Sequence, residues 1–222
     1  MPNFNTPSPI SAILDVPAGR VHFVATDRAD TVVGIQPSDA SKSRDVKAAE
    51  LATVDYADGV LRIAAHVRNQ YFGPTGSLDV TVELPAGSRA EVNAASVEFR
   101  TSGPLGDVVV HSEHGSIDVA QAATARLATL AGDVSVGRLD GPGEIRTSKG
   151  DIRVAEAVRG ALVLRTDAGT VDVGAAAGIS ASLDARTSSG RIRNSLNNTD
   201  GAAAQLAITA TTSVGDIVAR GL

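Results

Sequence analysis

One nine-residue pattern recurs through the second half of the chain and constrains the fold more than any other feature. Its copies are centred on glycines that stand 17, 18, 19, 21 and 25 residues apart: Gly115, Gly132, Gly150, Gly169, Gly190 and Gly215. Self-similarity at a short period indicates a repeat architecture, and a step of this size fits one β-coil per repeat rather than a helical hairpin. The copies around Gly190 and Gly215 match the pattern less closely than the other four.

Alignment of the copies on the glycine separates apolar from polar columns. An aliphatic residue stands two positions after the glycine in every copy: Ile117, Val134, Ile152, Val171, Ile192 and Ile217. Further apolar columns lie four positions after the glycine and five and seven before it. Alternation with a period of two is typical of strands with one buried face. Each repeat therefore predicts two short strands joined at a glycine hinge, where the absence of a Cβ permits a positive φ.

Stacking of the copies explains why the same columns persist. We predict an all-β, single-domain β-solenoid, or β-helix, in which Ile117, Val134, Ile152 and Val171 are successive neighbours along one axis. An antiparallel β-sandwich is the alternative, because short strands at regular spacing also suit it. The domain is predicted to cover residues 1–222, with divergent coils over 10–90, regular repeats over 91–222 and a C-terminal cap from about residue 195.

The divergent N-terminal part is predicted to contain strands at 10–16, 20–25, 31–36, 77–84 and 90–100, a β-hairpin on Asp58-Gly59 and a loop at 69–76. Residues 45–51 fit a short helix capped by Ser38, Asp39, Ser41 or Ser43, and fit a loop equally well. We expect the hairpin near residue 60 and the loop near residue 200 to interrupt exposed strand edges.

A column of hydroxyl residues stands three positions before the glycines: Ser112, Thr129, Thr147, Thr166, Thr187 and Thr212. These residues stand at alternate positions in step with the apolar columns, so their side chains are expected to face inward. It predicts a ladder in which hydroxyls of neighbouring coils, about 4.8 Å apart, reach one another. Selection of threonine for its β-propensity explains the column equally well.

Composition excludes several classes of function. The net charge of −5 gives no general reason to bind nucleic acid, and the absence of cysteine excludes disulfides and thiolate metal sites. No window approaches the run of about 20 apolar residues that a membrane span needs. The first residues have neither a basic nor an apolar leader region, so we expect a cytoplasmic protein. A surface location is expected only if a leader has been removed.

His111, Glu113 and His114 form the cluster with the clearest metal-ligating residue types, and a zinc site is one hypothesis. Surface histidines are the alternative, because His114 stands in a column that holds Ala, Lys, Ser or Val in other copies. No cofactor is predicted.

Asp133, Asp151 and Asp216 stand directly after their glycines. Calcium-binding β-rolls also stack aspartates near glycine turns, but their Gly-Gly-x-Gly-x-Asp pattern is missing here. The alternative is a structural role, in which each aspartate bonds nearby backbone N–H groups.

Arg146, Arg165 and Arg186 share an outward column four positions before the glycine and form a candidate interaction strip for an anionic ligand. Stacked like charges repel unless they are paired. Glu144 and Asp184 lie two residues from Arg146 and Arg186 on the same face, so a solvated and mutually neutralised face is the alternative.

The chain resembles a known bacterial family. The segment Leu84-Pro85-Ala86-Gly87-Ser88, the copies of Thr-x-x-Gly-[Asp/Ser/Thr]-[Ile/Val]-x-Val and the closing Thr-Ser-Val-Gly-Asp-Ile-Val are similar to the β-strand-repeat proteins called "putative adhesins", a domain of unknown function. Pro7-Ser8-Pro9-Ile10 and residues 45–50 resemble a cytoplasmic actinobacterial branch. The resemblance implies a β-solenoid-like fold and brings no catalytic residues.

Three functional hypotheses follow. The first is a non-catalytic scaffold or interaction protein that binds a protein partner or self-associates end to end. The second is a carbohydrate-binding or carbohydrate-active β-helix protein, which needs carboxylates gathered in one cleft. The third is a metal-dependent binding module. We expect the first, with neither nucleic acid nor a membrane span involved.

Overall fold

The computed structural model describes residues 1–65 and 76–222, so most of the loop predicted at 69–76 lies outside the described residues. The N-terminal strands are β1 (Asn3–Asn5), β2 (Ser11–Thr26), β3 (Asp30–Pro37), β4 (Thr53–Ala57), β5 (Val60–Ala64), β6 (Leu78–Pro85) and β7 (Arg89–Ser102). The repeat strands are β8 (Pro104–His114), β9 (Ile117–Ala131), β10 (Val134–Leu139), β11 (Gly143–Lys149), β12 (Ile152–Ala157), β13 (Gly160–Ala168), β14 (Val171–Ala175), β15 (Ala181–Ser189), β16 (Ile192–Ser195), β17 (Leu206–Val214) and β18 (Ile217–Gly221).

The coils build two ladders that meet at the glycine bend. Ladder I, before the bend, has the spatial order β4–β5–β2–β7–β8–β9–β11–β13–β17–β15. Ladder II, after the bend, has the order β1–β3–β6–β2–β7–β9–β10–β12–β14–β18–β16. Within the described chain, β1–β3, β3–β6 and β4–β5 are the only antiparallel pairs. The β-solenoid prediction is confirmed, and the sandwich alternative is wrong.

The aliphatic column two residues after the bend forms the spine of the core. Val134 lies between Ile117 and Ile152, and Ile152 pairs in turn with Val171, as the sequence predicted. The full order along ladder II is Val80, Val21, Phe99, Ile117, Val134, Ile152, Val171, Ile217 and Ile192. All are buried except Ile192. Burial of each large side chain contributes about 1.5–3 kcal/mol, so this column is a main source of stability.

The coils are not stacked in chain order at either end. Strand β2 lies inside the stack, between the β5–β6 coil and β7. The last coil, β17–β18, is inserted between β13–β14 and β15–β16. The prediction that the chain from about residue 195 caps the stack is therefore wrong, because residues 206–221 are interior. The outermost coil is β15–β16.

The glycines are needed for close approach as well as for their dihedral angles. Gly115, Gly132, Gly150, Gly169 and Gly215 have φ between +109° and +155°, whereas Gly190, in the outermost coil, is not among the positive-φ glycines. A Cβ on any of the six would lie within 3.0 Å of a backbone carbonyl oxygen of the neighbouring coil. For Gly150 that oxygen belongs to Gly132, and for Gly169 it belongs to Gly150.

The hydroxyl column bonds to carbonyls and not to other hydroxyls. Thr147 Oγ1 donates to the Gly132 carbonyl at 3.1 Å, and Thr166 Oγ1 donates to the Gly150 carbonyl at 2.9 Å. Thr187 and Thr212 repeat the contact with Gly215 and Gly169 at 3.0 Å. The predicted hydroxyl-to-hydroxyl ladder is wrong, because these four hydroxyls meet a glycine carbonyl of a neighbouring coil and Thr129 Oγ1 donates to the Glu113 carbonyl at 3.4 Å. The buried Oγ of Ser112 has no hydrogen-bond partner within the described structure.

Several coils have a third segment that the sequence analysis missed. After a second bend near Ala120 and Gly137, strands β9 and β10 continue and pair again through Ala122 and Leu139, and Leu139 also pairs with Ala157. All three of these inward residues are buried. The bend is tight, because a Cβ at Gly137 would lie within 3.0 Å of the Ala120 carbonyl oxygen.

The N-terminal elements mostly follow the predictions. The hairpin β4–β5 turns at Asp58 and Gly59, which both have positive φ. The helix interpretation of residues 45–51 is confirmed by α1 (Ser43–Leu51), but its N-cap is Lys42, with no side-chain cap. Asp39 instead accepts hydrogen bonds from the N–H and hydroxyl of Ser41. No helix in the described parts is long and apolar enough to cross a membrane.

Gly150→Ala tests the close approach at the bend. We expect a loss of about 3 kcal/mol or more in the free energy of unfolding, because the new Cβ adds a clash with the Gly132 carbonyl to the dihedral strain. Gly178→Ala is the matched control, since Gly178 also has positive φ but open space around it, and should cost about 1–2 kcal/mol. Equal losses in urea denaturation would contradict the clash.

Thr166→Val tests the hydroxyl-to-carbonyl bond. We expect a loss of about 1–2 kcal/mol, because the substitution removes the hydroxyl donor of the Gly150 carbonyl and puts a methyl group in its place. Ser112→Ala in the same column should cost nothing, because that hydroxyl has no partner in the described chain. A comparable loss in thermal melts of both variants would contradict the stabilising role of this hydrogen bond.

Candidate interaction surfaces

The predicted arginine strip is interrupted and neutralised in the structure. Arg146 and Arg165 pair in register, but Thr211 of the inserted coil separates Arg165 from Arg186. Arg146 forms an ion pair with Glu144, Arg165 lies 3.9 Å from Asp167, and Arg186 pairs with Asp184 at 3.0 Å. The three arginines therefore do not form one continuous cationic strip. Each arginine lies beside a carboxylate of its own strand, as the alternative of a mutually neutralised face describes.

The histidine cluster does not converge on one point. His111, Glu113 and His114 are all exposed near the end of β8, and Ser112 between them points inward. In the described residues, no group of three or more His, Cys, Asp or Glu side chains is arranged to hold a metal ion. The three residues are therefore exposed side chains on the surface of one strand.

The aspartates after the glycines serve the backbone of the neighbouring coil. Asp133 Oδ1 accepts the N–H of Asp151 at 2.8 Å, and Asp151 Oδ1 accepts the N–H of Thr170 at 2.7 Å. Asp216 Oδ1 accepts the N–H of Arg191 in the same way at 2.8 Å. The carboxylates thus accept hydrogen bonds from backbone N–H groups at the bend between the two ladders. This geometry matches the turn-stabilising alternative, with the acceptor contributed across coils.

A charged hollow lies on the outward face of ladder II and was not predicted. It has a volume of about 390 Å³ and is lined by Arg20, His22, Asp79, Thr81, Glu98, Phe99, Arg100 and Asp118, among others. His22 Nε2 lies 2.9 Å from Ser102 Oγ. The insertion of β2 between β6 and β7 brings these residues together, and the sequence gives no signal of that insertion.

Two carboxylates of the hollow, those of Asp79 and Asp118, lie beside arginines. Arg20 Nε donates to Asp79 Oδ1 at 3.0 Å, and Arg100 lies 3.6 Å from Asp118. The hydrogen bond from Arg20 is the main cause that lowers the pKa of Asp79, and the bond from Ser38 adds to it. The same hydrogen bond raises the pKa of Arg20. The hollow therefore contains two ion pairs and presents hydrogen-bond donors and acceptors on a polar surface.

The outermost coil, β15–β16, is the least covered part of the repeats. In the described chain, β15 pairs only with β17, and β16 pairs only with β18, so one edge of each strand has no ladder partner. Ile192 is 46% exposed, although its equivalents in the five other regular copies are buried. Leu183 and Ala185 of β15 are only partly buried.

The end of the stack that contains β6 carries further elements. Helix α1 contacts β3 and β6, with Ala48 buried against the core. The buried Asp45 accepts the N–H of Ser77 at 3.0 Å, which fixes the helix to the start of β6. The two ends of the solenoid therefore differ, and β15–β16 forms an open end without such a helix.

Stability in acid should depend on Asp79. Its pKa is lowered in the folded chain, so its contribution is complete above the ordinary value of about 3.9 and is lost as the pH falls through the folded pKa. We expect Asp79→Asn to lower the melting temperature at neutral pH and to flatten its decline on acidification below about pH 4. Asp58→Asn in the exposed hairpin turn is the control. Parallel melting curves for wild type and Asp79→Asn would contradict this role.

Comparisons with known proteins agree with this architecture. The fold is similar to a "putative adhesin" from Bacteroides fragilis, which is 13% identical, with 98% of this chain and 95% of that chain covered and a TM-score of 0.51. A "putative adhesin" from Parabacteroides distasonis is 10% identical, with the same coverage and a TM-score of 0.46. At such identities the likeness to the Bacteroides fragilis structure shows the fold alone. A search of the curated proteins finds no match.

The family follows from the sequence. A family model with the description Toastrack DUF4097 matches residues 14–220, which includes most of both ladders and the coils that are out of chain order. This protein belongs to the Toastrack DUF4097 family.

Proposed function

We propose that this protein is a non-catalytic interaction module that binds a protein partner through the open end formed by β15 and β16. The observation that carries the proposal is the exposure of apolar residues in that coil. Ile192 is exposed and Leu183 is only partly covered, in a stack whose interior copies bury the equivalent residues. The name "putative adhesin" of the Bacteroides fragilis structure also fits a binding role.

Strand edges of this kind are suited to protein binding. An edge strand presents unpaired N–H and C=O groups, and an extended segment of another chain adds to the sheet by bonding to them. The apolar residues beside the edge, Leu183 and Ile192, supply area to bury, and β15 is paired with β17 along its other edge. Such a surface needs no catalytic group.

The polar residues singled out in the sequence support a non-catalytic role. Asp133 and Asp151 are engaged with backbone N–H groups, and Arg146 and Arg186 are engaged with carboxylates. In the charged hollow, Asp79 and Asp118 each face an arginine. A carbohydrate-active enzyme needs carboxylates that are available to a substrate, and these are committed to structural contacts. The cytoplasmic location and the actinobacterial branch stay predictions from the sequence.

Photocrosslinking in the native cell tests the location of binding. With p-benzoylphenylalanine in place of Ile192, we expect a discrete crosslinked adduct, because this position lies on the open end. Val163 is the matched control position, since it is exposed on an interior coil of ladder I and should give no adduct.

Mass spectrometry of the adduct identifies the partner. Either a different protein or a second copy of this chain at position 192 agrees with the proposal. An adduct at position 163 alone, or no adduct at either position, would contradict it.

A further inference from the structure

We propose that the partner at the open end is a second copy of this chain, joined through antiparallel pairing of β15 with β15 of that copy about a two-fold axis at Ala185. The inference rests on the proposed function and specifies its partner. It is carried by the direction of the free backbone groups and by the order of charges along β15.

The free backbone groups of β15 belong to alternate residues. In a parallel ladder, each residue directs its N–H and C=O to one side, and the next residue directs them to the other. The Ser180 carbonyl accepts from Leu206 on the β17 side, while the Ala181 N–H donates away from β17 to Asn197. The edge of β15 beyond Ala181 is therefore formed by the N–H and C=O groups of Leu183, Ala185 and Thr187.

These groups match those of a second copy. Antiparallel pairing centred on Ala185 sets Ala185 opposite Ala185, and Leu183 opposite Thr187 of the other copy. Each of these opposed residues directs both polar groups at its counterpart, as the hydrogen-bonded pairs of an antiparallel ladder require. The inward side chains of both strands then lie on the same face, so the cores of the two solenoids become continuous.

The charges on β15 select this register. Asp184 and Arg186 stand on either side of Ala185, and both side chains are exposed on the outward face. Pairing about Ala185 sets each Asp184 opposite Arg186 of the other copy, at non-hydrogen-bonded positions where opposed side chains are closest. A shift of the centre to residue 184 or 186 sets two aspartates or two arginines against each other, which is unfavourable.

The same order of charges favours a second copy over an unrelated protein. A strand with one acidic and one basic residue placed symmetrically about its centre is complementary to itself under a two-fold rotation. The pairing would also cover the partly buried Leu183. An unrelated partner would need a matching pattern of its own, whereas a second copy already has it.

Charge exchange tests the register directly. In sedimentation experiments over a concentration series, we expect wild type to dimerise and both Arg186→Glu and Asp184→Arg to weaken the dimer by about tenfold or more. Each single substitution changes two symmetry-related pairs from attraction to repulsion. The double variant D184R/R186D should restore dimerisation, because the opposite charges again face each other.

The control variant is Arg165→Glu. Arg165 occupies the same column of ladder I and is similarly exposed, but it lies on an interior coil, so its dimer should match that of wild type. Circular dichroism melts establish that all variants fold. Amide exchange supplies a second readout, since Leu183, Ala185 and Thr187 should be protected only at concentrations where the dimer forms.

The outcomes separate this inference from the proposed function. A wild-type protein that stays monomeric at high concentration, or a double variant that fails to recover, would overturn pairing of β15 with itself. If position 192 still crosslinks to a different protein in the native cell, the open end remains the binding surface and only the identity of the partner is wrong.

Discussion

The close contact between a glycine in one coil and the carbonyl group of the next coil is the constraint on which the solenoid depends. At Gly132, Gly150 and Gly169, a Cβ would meet that oxygen within 3.0 Å. The threonines three residues before Gly150 and Gly169 donate their hydroxyls to the same carbonyls that a Cβ would meet, so these bends are fixed by a steric limit and a hydrogen bond together. Both contacts set the register between coils, which in turn stacks the buried aliphatic column on itself.

The coils depart from chain order at both ends of the stack. Strand β2 and the coil β17–β18 each pair on both sides, so segments from near the start and the end of the chain lie in the interior. The insertion has two consequences. Insertion of β2 gathers Arg20, Asp79 and Asp118 into one hollow. Insertion of β17–β18 leaves β15–β16, which comes earlier in the chain, as the open end.

The parts that could be predicted from the sequence are those that repeat. The column of Ile117, Val134 and Ile152 predicted parallel stacking, since only stacked neighbours explain such identity. The order of the coils could not be predicted from the columns, because most copies have the same apolar residues at the same positions. One signal was present: the fifth copy has Asn194 where the others have Val or Ala, and Asn194 is exposed whereas Ala219 of the sixth copy is buried. The hollow had no local signal, since its residues come from strands far apart in the chain.

The weakened fifth copy also limits uncontrolled pairing at the open end. An edge with a fully aliphatic rung invites uncontrolled pairing, and charged residues on edge strands oppose it. In this coil Asn194 replaces an aliphatic residue, and Asp184, Arg186, Arg191 and Arg193 surround the rung with charge. Pairing of this edge therefore depends on charge order as well as on apolar area. A surface that accepts only one arrangement of charges limits assembly to a closed pair, since the edge used in that pair is then covered.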